Sequence, residues 1–373
     1  MADLELYEKL RLLLKGGLPK HDVTYKLVSN MYTEEEAKIL VSSFKKAGKA
    51  IHIREITKLS GVPRDQLKDI LNNMYNKGKL TKLGSSYLLL PYLPGGFEFY
   101  FTIGTDDPER MKKVAEAHLD LFKLGFTLEL SASNYTVYRV IPTIEPIKKS
   151  IEINENMTVQ HQIMPYEILR KYLSDINPKV YTVVPCSCRT AAKLAGEPCK
   201  QTNGNYCVTA GTLAQIVNKQ GIGREVTLDE LMEIMERAEK EGLVHETFNM
   251  QDTAMFICNC CSCCCGFLKS VKEQSNYGAI TKSNFDPIIN KDLCTLCETC
   301  MKMCPMNAIY HHWPHKKDLT DDFMKIRLDL CIGCGVCASN CPSEAISLEK
   351  VRNFIPIKSQ GEMTVKLTEE RAH

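Results

Sequence analysis

Apolar positions recur at helical spacing along the N-terminal part of the chain. Leu4, Leu6, Leu10, Leu13 and Leu14 mark a helical lead-in over residues 1–32, broken by Gly16, Gly17 and Pro19. Thr33 with Glu36 makes a capping box ahead of Ala37, Ile39, Leu40, Val41 and Phe44, a helix expected to end near Gly48. A short helix with Ile53, Ile56 and Leu59 stops at Ser60-Gly61, and Pro63 opens a third with Leu67, Ile70, Leu71 and Met74 on one face. Gly78 is its stop. Leu80 to Leu90 reads as two short strands around Gly84-Ser85-Ser86.

Residues 93–150 read as a small α+β connecting region. Phe97 to Ile103, Phe126 to Leu130 and Tyr135 to Ile141 are expected strands, and residues 107–124, with Met111, Val114, Ala115, Leu119 and Phe122, an expected helix. Turns at Gly95-Gly96 and Ser131 to Asn134 bound them, and Pro142 and Pro146 mark a boundary. Over 151–285 the pattern gives a helix from Ile163 to Leu173 and a strand from Val180 to Val184. A capping box at Thr227 and Glu230 then starts a helix with Leu228, Leu231, Ile234, Met235 and Ala238, which Gly242 ends. The other face of that helix is acidic, either a solvated face or a docking surface. Residues 350–373 read as a polar tail with one strand, Asn353 to Ile357, and a mobile end from Glu362. The expected class is α+β and multidomain, with divisions at 1–92, 93–150, 151–285, 286–349 and 350–373.

Composition changes this picture at one point. The net charge of +2 argues against a general polyanion binder, but 18 of the 373 residues are Cys. No signal peptide or long apolar run is apparent, so a disulfide framework is not expected. Thiolates held by metal in a reducing cytoplasm fit better, in an anaerobe or another protected compartment.

Residues 1–92 carry 16 Lys or Arg against 10 Asp or Glu. Over residues 33–92 the order of helix, helix-turn-helix and hairpin resembles a winged-helix domain. In that likeness Pro63 to Lys77 would be the recognition helix, offering Arg64, Gln66, Lys68, Asn72, Asn73, Asn76 and Lys77 to phosphates and bases. Asp65 and Asp69 oppose that use, and docking to protein is the competing role.

The densest chemistry runs from Cys294 to Ile346. The spacing C-x2-C-x2-C-x3-C-P occurs twice, with every Cys of the second copy 37 residues after its counterpart. Such a run suits cubane [4Fe–4S] clusters, in which the fourth Cys of each copy ligates the other cluster. Cys294, Cys297, Cys300 and Cys341 are therefore assigned to one cluster, and Cys331, Cys334, Cys337 and Cys304 to the second. Gly333 and Gly335 suit a tight loop close to a cluster, whereas the first loop has Leu296 and Glu298 there. Zinc sites usually pair two Cys with two more after a longer gap, which this run does not do. Residues 286–349 resemble the bacterial-type two-cluster ferredoxins. An insert between the copies, with His311, His312, Trp313, Pro314 and His315, is expected as a solvated loop, with metal binding by the His residues as the alternative.

A second Cys-rich region precedes this one. Cys186-Ser-Cys188-Arg189 follows the strand ending at Val184, and Cys199 and Cys207 are expected in a Gly- and Pro-broken loop. Cys258, Cys260, Cys261, Cys263, Cys264 and Cys265 then fall within eight residues. Packing alone does not favour six thiols over six small apolar residues, so ligation is the reason for them. One or two further iron–sulfur clusters are expected over 186–265, with a structural zinc on Cys186, Cys188, Cys199 and Cys207 as the alternative. In an extended chain Cys258, Cys260 and Cys264 would face one way and Cys261, Cys263 and Cys265 the other, unless a turn at Ser262 rearranges them. The region resembles a Cys-rich module of iron–sulfur proteins of anaerobic bacteria and archaea, which implies an electron-transfer or reductive role. Arg189 would then offset cluster charge. His245 is expected to be a structural hydrogen-bonder.

These signals together give a cytoplasmic iron–sulfur electron carrier or oxidoreductase subunit. Its partners would be redox proteins, such as a larger oxidoreductase complex. No G-x-G-x-x-G after a strand and no P-loop appears. The alternatives are a redox-sensing DNA-binding regulator and a reductase whose module cluster binds substrate.

Overall fold

The computed structural model describes residues 3–14, 18–131, 135–144, 146, 164, 167–252, 255–313, 322–359, 361–363 and 365–366. The chain forms two compact units. The first is Met1–Leu130 with Pro185–Cys199 and Lys219–Ile222, and the second is Ser131–Val184 with Lys200–Asn218 and Gly223–His373.

The first unit is built on helices. Thr33 and Glu36 exchange their capping bonds at 3.2 and 2.8 Å, and start the helix Glu34–Ser43. That helix ends at Ser43, before Gly48. The helices Ile53–Ser60 and Arg64–Asn76 follow, the first closed by Gly61 in the left-handed region. Strands β1 (Ala50–His52), β2 (Thr81–Leu83) and β3 (Ser86–Leu88) form an antiparallel sheet in the order β1-β3-β2. The sequence pattern shows the hairpin of β2 and β3 but not β1, which is only three residues long. Glu36 also serves the core, where Lys79 Nζ lies 3.0 Å from its carboxylate and 3.2 Å from that of Asp106.

Two expected strands in this unit are helices. Phe97–Ile103 alternates in sequence, yet it buries Phe97, Tyr100 and Phe101, the i, i+3, i+4 set of a helix. Phe97 stacks on the His118 ring of the helix Pro108–Lys123, with centroids 3.9 Å apart. Tertiary packing thus overrides the strand preference of an aromatic run. Phe126–Leu130 is a second short helix, entered through Gly125 at φ +87°.

The second unit centres on a six-stranded antiparallel sheet. Its strands are β4 (Tyr138–Ile141), β5 (Tyr181–Val184), β6 (Cys207–Ala210), β7 (Arg224–Val226), β8 (Val244–Phe248) and β9 (Phe256–Cys260), in the order β4-β8-β9-β6-β5-β7. One face packs Ile141, Val208 and Ile257 against Leu173, Leu231 and Met235 of the helices Leu169–Ile176 and Leu228–Lys240. The helix expected from Ile163 starts at Leu169, and Ile163 itself lies outside the described residues. The Thr227–Glu230 box forms as expected. The other face carries Val140, Val244 and Cys260 toward Leu268, Ile280, Cys331 and Cys334 in one apolar cluster.

Two strand pairs complete this unit: β10 (Phe285–Ile289) with β13 (Ile346–Lys350), and β11 (Ile309–His312) with β12 (Phe323–Ile326). His311 and His312 are therefore on a strand, not in a loop; Pro314 and His315 lie outside the described residues. The expected strand at Asn353 is absent, and Ile357 alone bridges to Met250. The stretch is packed all the same. Arg352 pairs with Asp286 and donates to the Ser283 and Phe285 carbonyls, and Met363 is buried beside Tyr135 and Met250.

Candidate metal centres

The doubled motif is repeated in three dimensions. The helix Thr299–Met303 and the helix starting at Val336 occupy corresponding places, as do β11 from Ile309 and β13 from Ile346. Left-handed residues recur in pairs at Leu296 and Gly333, Glu298 and Gly335, and Asn307 and Glu344. The loop path is thus the same in both copies, and glycine is the relaxed choice in only one. The reason for glycine there is packing. A Cβ on Gly333 would overlap the Phe285 carbonyl oxygen, and one on Gly335 would overlap the Thr143 hydroxyl and lie 2.9 Å from Leu348.

These loops bring the thiols together in two interleaved sets. Cys294, Cys297, Cys300 and Cys341 line one pocket with Ile289, Met324 and Ile346. Cys304, Cys331, Cys334 and Cys337 line a second with Pro305, Ile309 and Ile332. In each set three Cys come from one copy and the fourth from the other. The first set is the outer one, since Cys297 is exposed; in the second only Cys304 is not buried.

Electrostatics show what such a set needs. Burial pushes the Cys300 and Cys331 thiols up to about 11, and burial together with neighbouring thiols pushes Cys334 and Cys337 higher still. Four thiolates around one apolar cavity repel one another and lack solvation, so the arrangement is unfavourable until a cationic body sits between them. Backbone N–H groups already point at sulfur, Ala308 to Cys304 at 3.2 Å and Gly333 to Cys331 at 3.4 Å. Thr299 bonds Cys297 and holds its thiol below the usual range. Cavity, thiol donors and N–H···S bonds all fit an iron–sulfur cluster in each set.

Residues 293–345 match the family described as the 4Fe-4S dicluster domain. No curated protein and no solved structure matches the chain significantly. The dicluster domain makes this an iron–sulfur protein with an electron-transfer role.

Of the four cysteines expected in loops, Cys186 and Cys199 are in irregular chain, whereas Cys188 is in a helix and Cys207 on a strand. Cys186 caps the helix Ser187–Leu194 in the first unit, with Cys188 and Arg189 inside that helix and Cys199 at the end of the segment. Cys207 opens β6 in the second unit and is buried. Strand β9 ends at Cys260, and a turn over Ser262 to Cys264 regroups the Cys258–Cys265 run. Cys258 and Cys265 both contact the Cys260 thiol, while Cys261 and Cys263 contact that of Cys264, with Cys263 Sγ 3.7 Å away. The sets are thus Cys258, Cys260, Cys265 and Cys261, Cys263, Cys264, not those of an unbroken strand.

Glu246 joins the first of these sets, with a carboxylate oxygen and the sulfurs of Cys260 and Cys265 all within 4.8 Å of one another. Sequence reasoning missed it, because an acid on a strand 12 residues before Cys258 gives no local signal. His245 is the structural group expected. Its ring nitrogens meet Asn259 Oδ1 at 2.5 Å and Glu239 Oε1 at 3.0 Å. His311 is held between Glu298 and Asp322, at 3.2 and 3.1 Å. On the helix Arg64–Asn76, Arg64, Gln66, Lys68 and Asn73 are exposed, but Asn72 Oδ1 accepts from Lys82 and Tyr87 at 3.0 and 2.8 Å. Asn72 is thus part of the fold of this unit. Among the described residues no helix is long and apolar enough to cross a membrane.

Proposed function

We propose that the chain is an electron carrier or oxidoreductase subunit that passes single electrons through two [4Fe–4S] clusters. One cluster would be held by Cys294, Cys297, Cys300 and Cys341, the other by Cys331, Cys334, Cys337 and Cys304. The observation that carries this reading is the pair of interleaved thiol sets, each around its own cavity. Bound clusters supply one-electron chemistry. The protein supplies burial, N–H···S bonds and an exposed edge at Cys297, where a redox partner protein would exchange electrons. We assign the ten cysteines from Cys186 to Cys265 to further metal centres in a Cys-rich module, at least one of them an iron–sulfur cluster that extends the relay. The site of action would be a reducing cytoplasm.

Anaerobically purified protein should contain iron and sulfide beyond what two cubanes hold. Cys297→Ala should lose about half of the dicluster iron, because metal binding and local folding are coupled. Unchanged iron content in that variant would overturn the assignment.

The β1-β3-β2 sheet beside two short helices supports a winged-helix reading of residues 33–92, and with it a second role in contacting DNA. That role requires binding that depends on sequence and weakens with salt. If no genomic fragment is retained at low salt, docking to a protein partner is what remains for this region.

A further inference from the structure

The cysteine face of the six-stranded sheet holds a mixed set of donors outside the dicluster domain. Strand register explains how it arises. Glu246 on β8 lies directly opposite Cys258 on β9, and Val244 opposite Cys260. Residues directly opposite in an antiparallel pair share a face, as do residues two apart on one strand. Glu246, Cys258 and Cys260 therefore project together, away from the face that carries Ile257 into the core under the helix Leu228–Lys240. The turn after β9 returns the chain so that Cys265 caps the helix Gly266–Gln274 and reaches the same point. Glu246, Cys260 and Cys265 are all buried, with their donor atoms within 4.8 Å of one another, and Cys258 touches the Cys260 thiol.

We propose that Glu246, Cys258, Cys260 and Cys265 bind a single divalent ion of the zinc class. One buried carboxylate and three thiols converge here as four donors that a cation would draw together, and packing gives no reason to collect them. Three sulfurs and one oxygen form a donor set suited to a borderline-soft ion in tetrahedral geometry. Bond lengths of about 2.3 Å to sulfur and about 2.0–2.2 Å to oxygen set tetrahedral donors roughly 3.5–3.8 Å apart, inside the 4.8 Å limit that Glu246, Cys260 and Cys265 already meet. The contrast with the dicluster domain is direct: its thiols line a pocket in each set, whereas here Cys258 and Cys265 both contact the Cys260 thiol. Cys260 and Cys265 share an apolar cluster with Cys331 and Cys334. A redox-inert ion here would lock β8, β9 and the helix Gly266–Gln274 beside the inner cluster set without being a step in the relay.

The test uses the full chain, purified without oxygen and assayed for zinc, iron and sulfide together. One zinc per chain is expected beside the cluster iron. Glu246→Gln keeps the shape of the side chain, so it should leave iron and sulfide unchanged while zinc is lost to a competing chelator at least ten-fold more readily. X-ray absorption at the zinc edge should show three sulfur scatterers and one light scatterer, the latter altered in the variant. Absence of zinc would overturn the proposal. So would Cys260→Ser losing iron and sulfide in cluster proportion, or Glu246→Gln with unaltered zinc coordination. Because zinc is counted separately from iron, failure here is distinguishable from failure of the electron-transfer reading.

Discussion

Gly333→Ala tests whether the second thiol set depends on the backbone path of its loop. Gly333 sits at φ +68°, where an L side chain costs roughly 1–2 kcal/mol. Its new Cβ would overlap the Phe285 carbonyl oxygen and the Ser283 hydroxyl and stand 3.3 Å from the Phe285 carbonyl carbon. Phe285 begins β10, which is paired along its length with β13, so the obstacle is backbone that cannot turn aside. Overpacking of this kind adds roughly 1–3 kcal/mol. The low end of the sum, about 2 kcal/mol, corresponds to about a thirty-fold rise in the opened loop population, at about 1.4 kcal/mol per decade. The readout is iron release to a chelator under argon, followed by the loss of visible absorption. Gly333→Ala should release the iron of the Cys331 set at least about thirty-fold faster than the parent, with the Cys294 set less affected. Release within a factor of about three of the parent would show that the loop path is not what holds this set, and would refute the reasoning.

Two further outcomes concern the first unit. Lys79→Met strands the buried Glu36 carboxylate, which lies 3.0 Å from its ammonium, and leaves Asp106, now 3.2 Å from that ammonium, to Lys77 alone at 2.8 Å; a loss of about 3–5 kcal/mol in urea denaturation is expected, and a loss below 1 kcal/mol would contradict it. Burial holds His118 neutral with its pKa lowered to about 3, below the usual value of about 6.5 in an unfolded chain. The unfolded state therefore binds the extra proton, and the stability present above about pH 6.5 falls away as pH drops toward 3, by roughly 1.4 kcal/mol at pH 5.5. His118→Gln should flatten that dependence, and a wild-type urea midpoint for the helical signal that is equal at pH 7.5 and 5.5 would count against it.

Local rules written in consecutive residues were legible in the sequence. Both capping boxes, the left-handed stop at Gly61, the helix Leu228–Lys240 and the doubled Cys spacing each depend on residues a few positions apart. What escaped depends on partners far along the chain. Phe97–Ile103 has a strand-like composition, and its helical form is favoured by the stack on His118, 21 residues from Phe97. Cys207 follows Gly204 and looks like loop, but β6 pairs with both β5 and β9. Glu246 acquires its meaning only from the register that sets it opposite Cys258.

Register also explains why His245, on a strand of the cysteine-bearing sheet, points away from the cysteine face. A slip of one residue in β9 would turn Cys258 and Cys260 into the apolar core and bring Ile257 and Asn259 to the donor face, because side-chain direction has a period of two. Alternation of apolar and thiol residues discriminates weakly against that slip, since a neutral Cys buries almost as readily as a small hydrophobe. Asn259 supplies the discrimination. Its side chain is buried opposite His245, accepts at 2.5 Å from the ring, and donates to the Tyr206 carbonyl and to Met235 Sδ. His245 passes the network on to Glu239, whose other oxygen accepts from Ser339, two residues after Cys337. In the slipped register these buried groups would lose their partners at about 1–3 kcal/mol each. The polar network on the core side therefore fixes which cysteines reach the other side, and it joins the sheet of the Cys-rich module to the loop that carries the second thiol set of the dicluster domain.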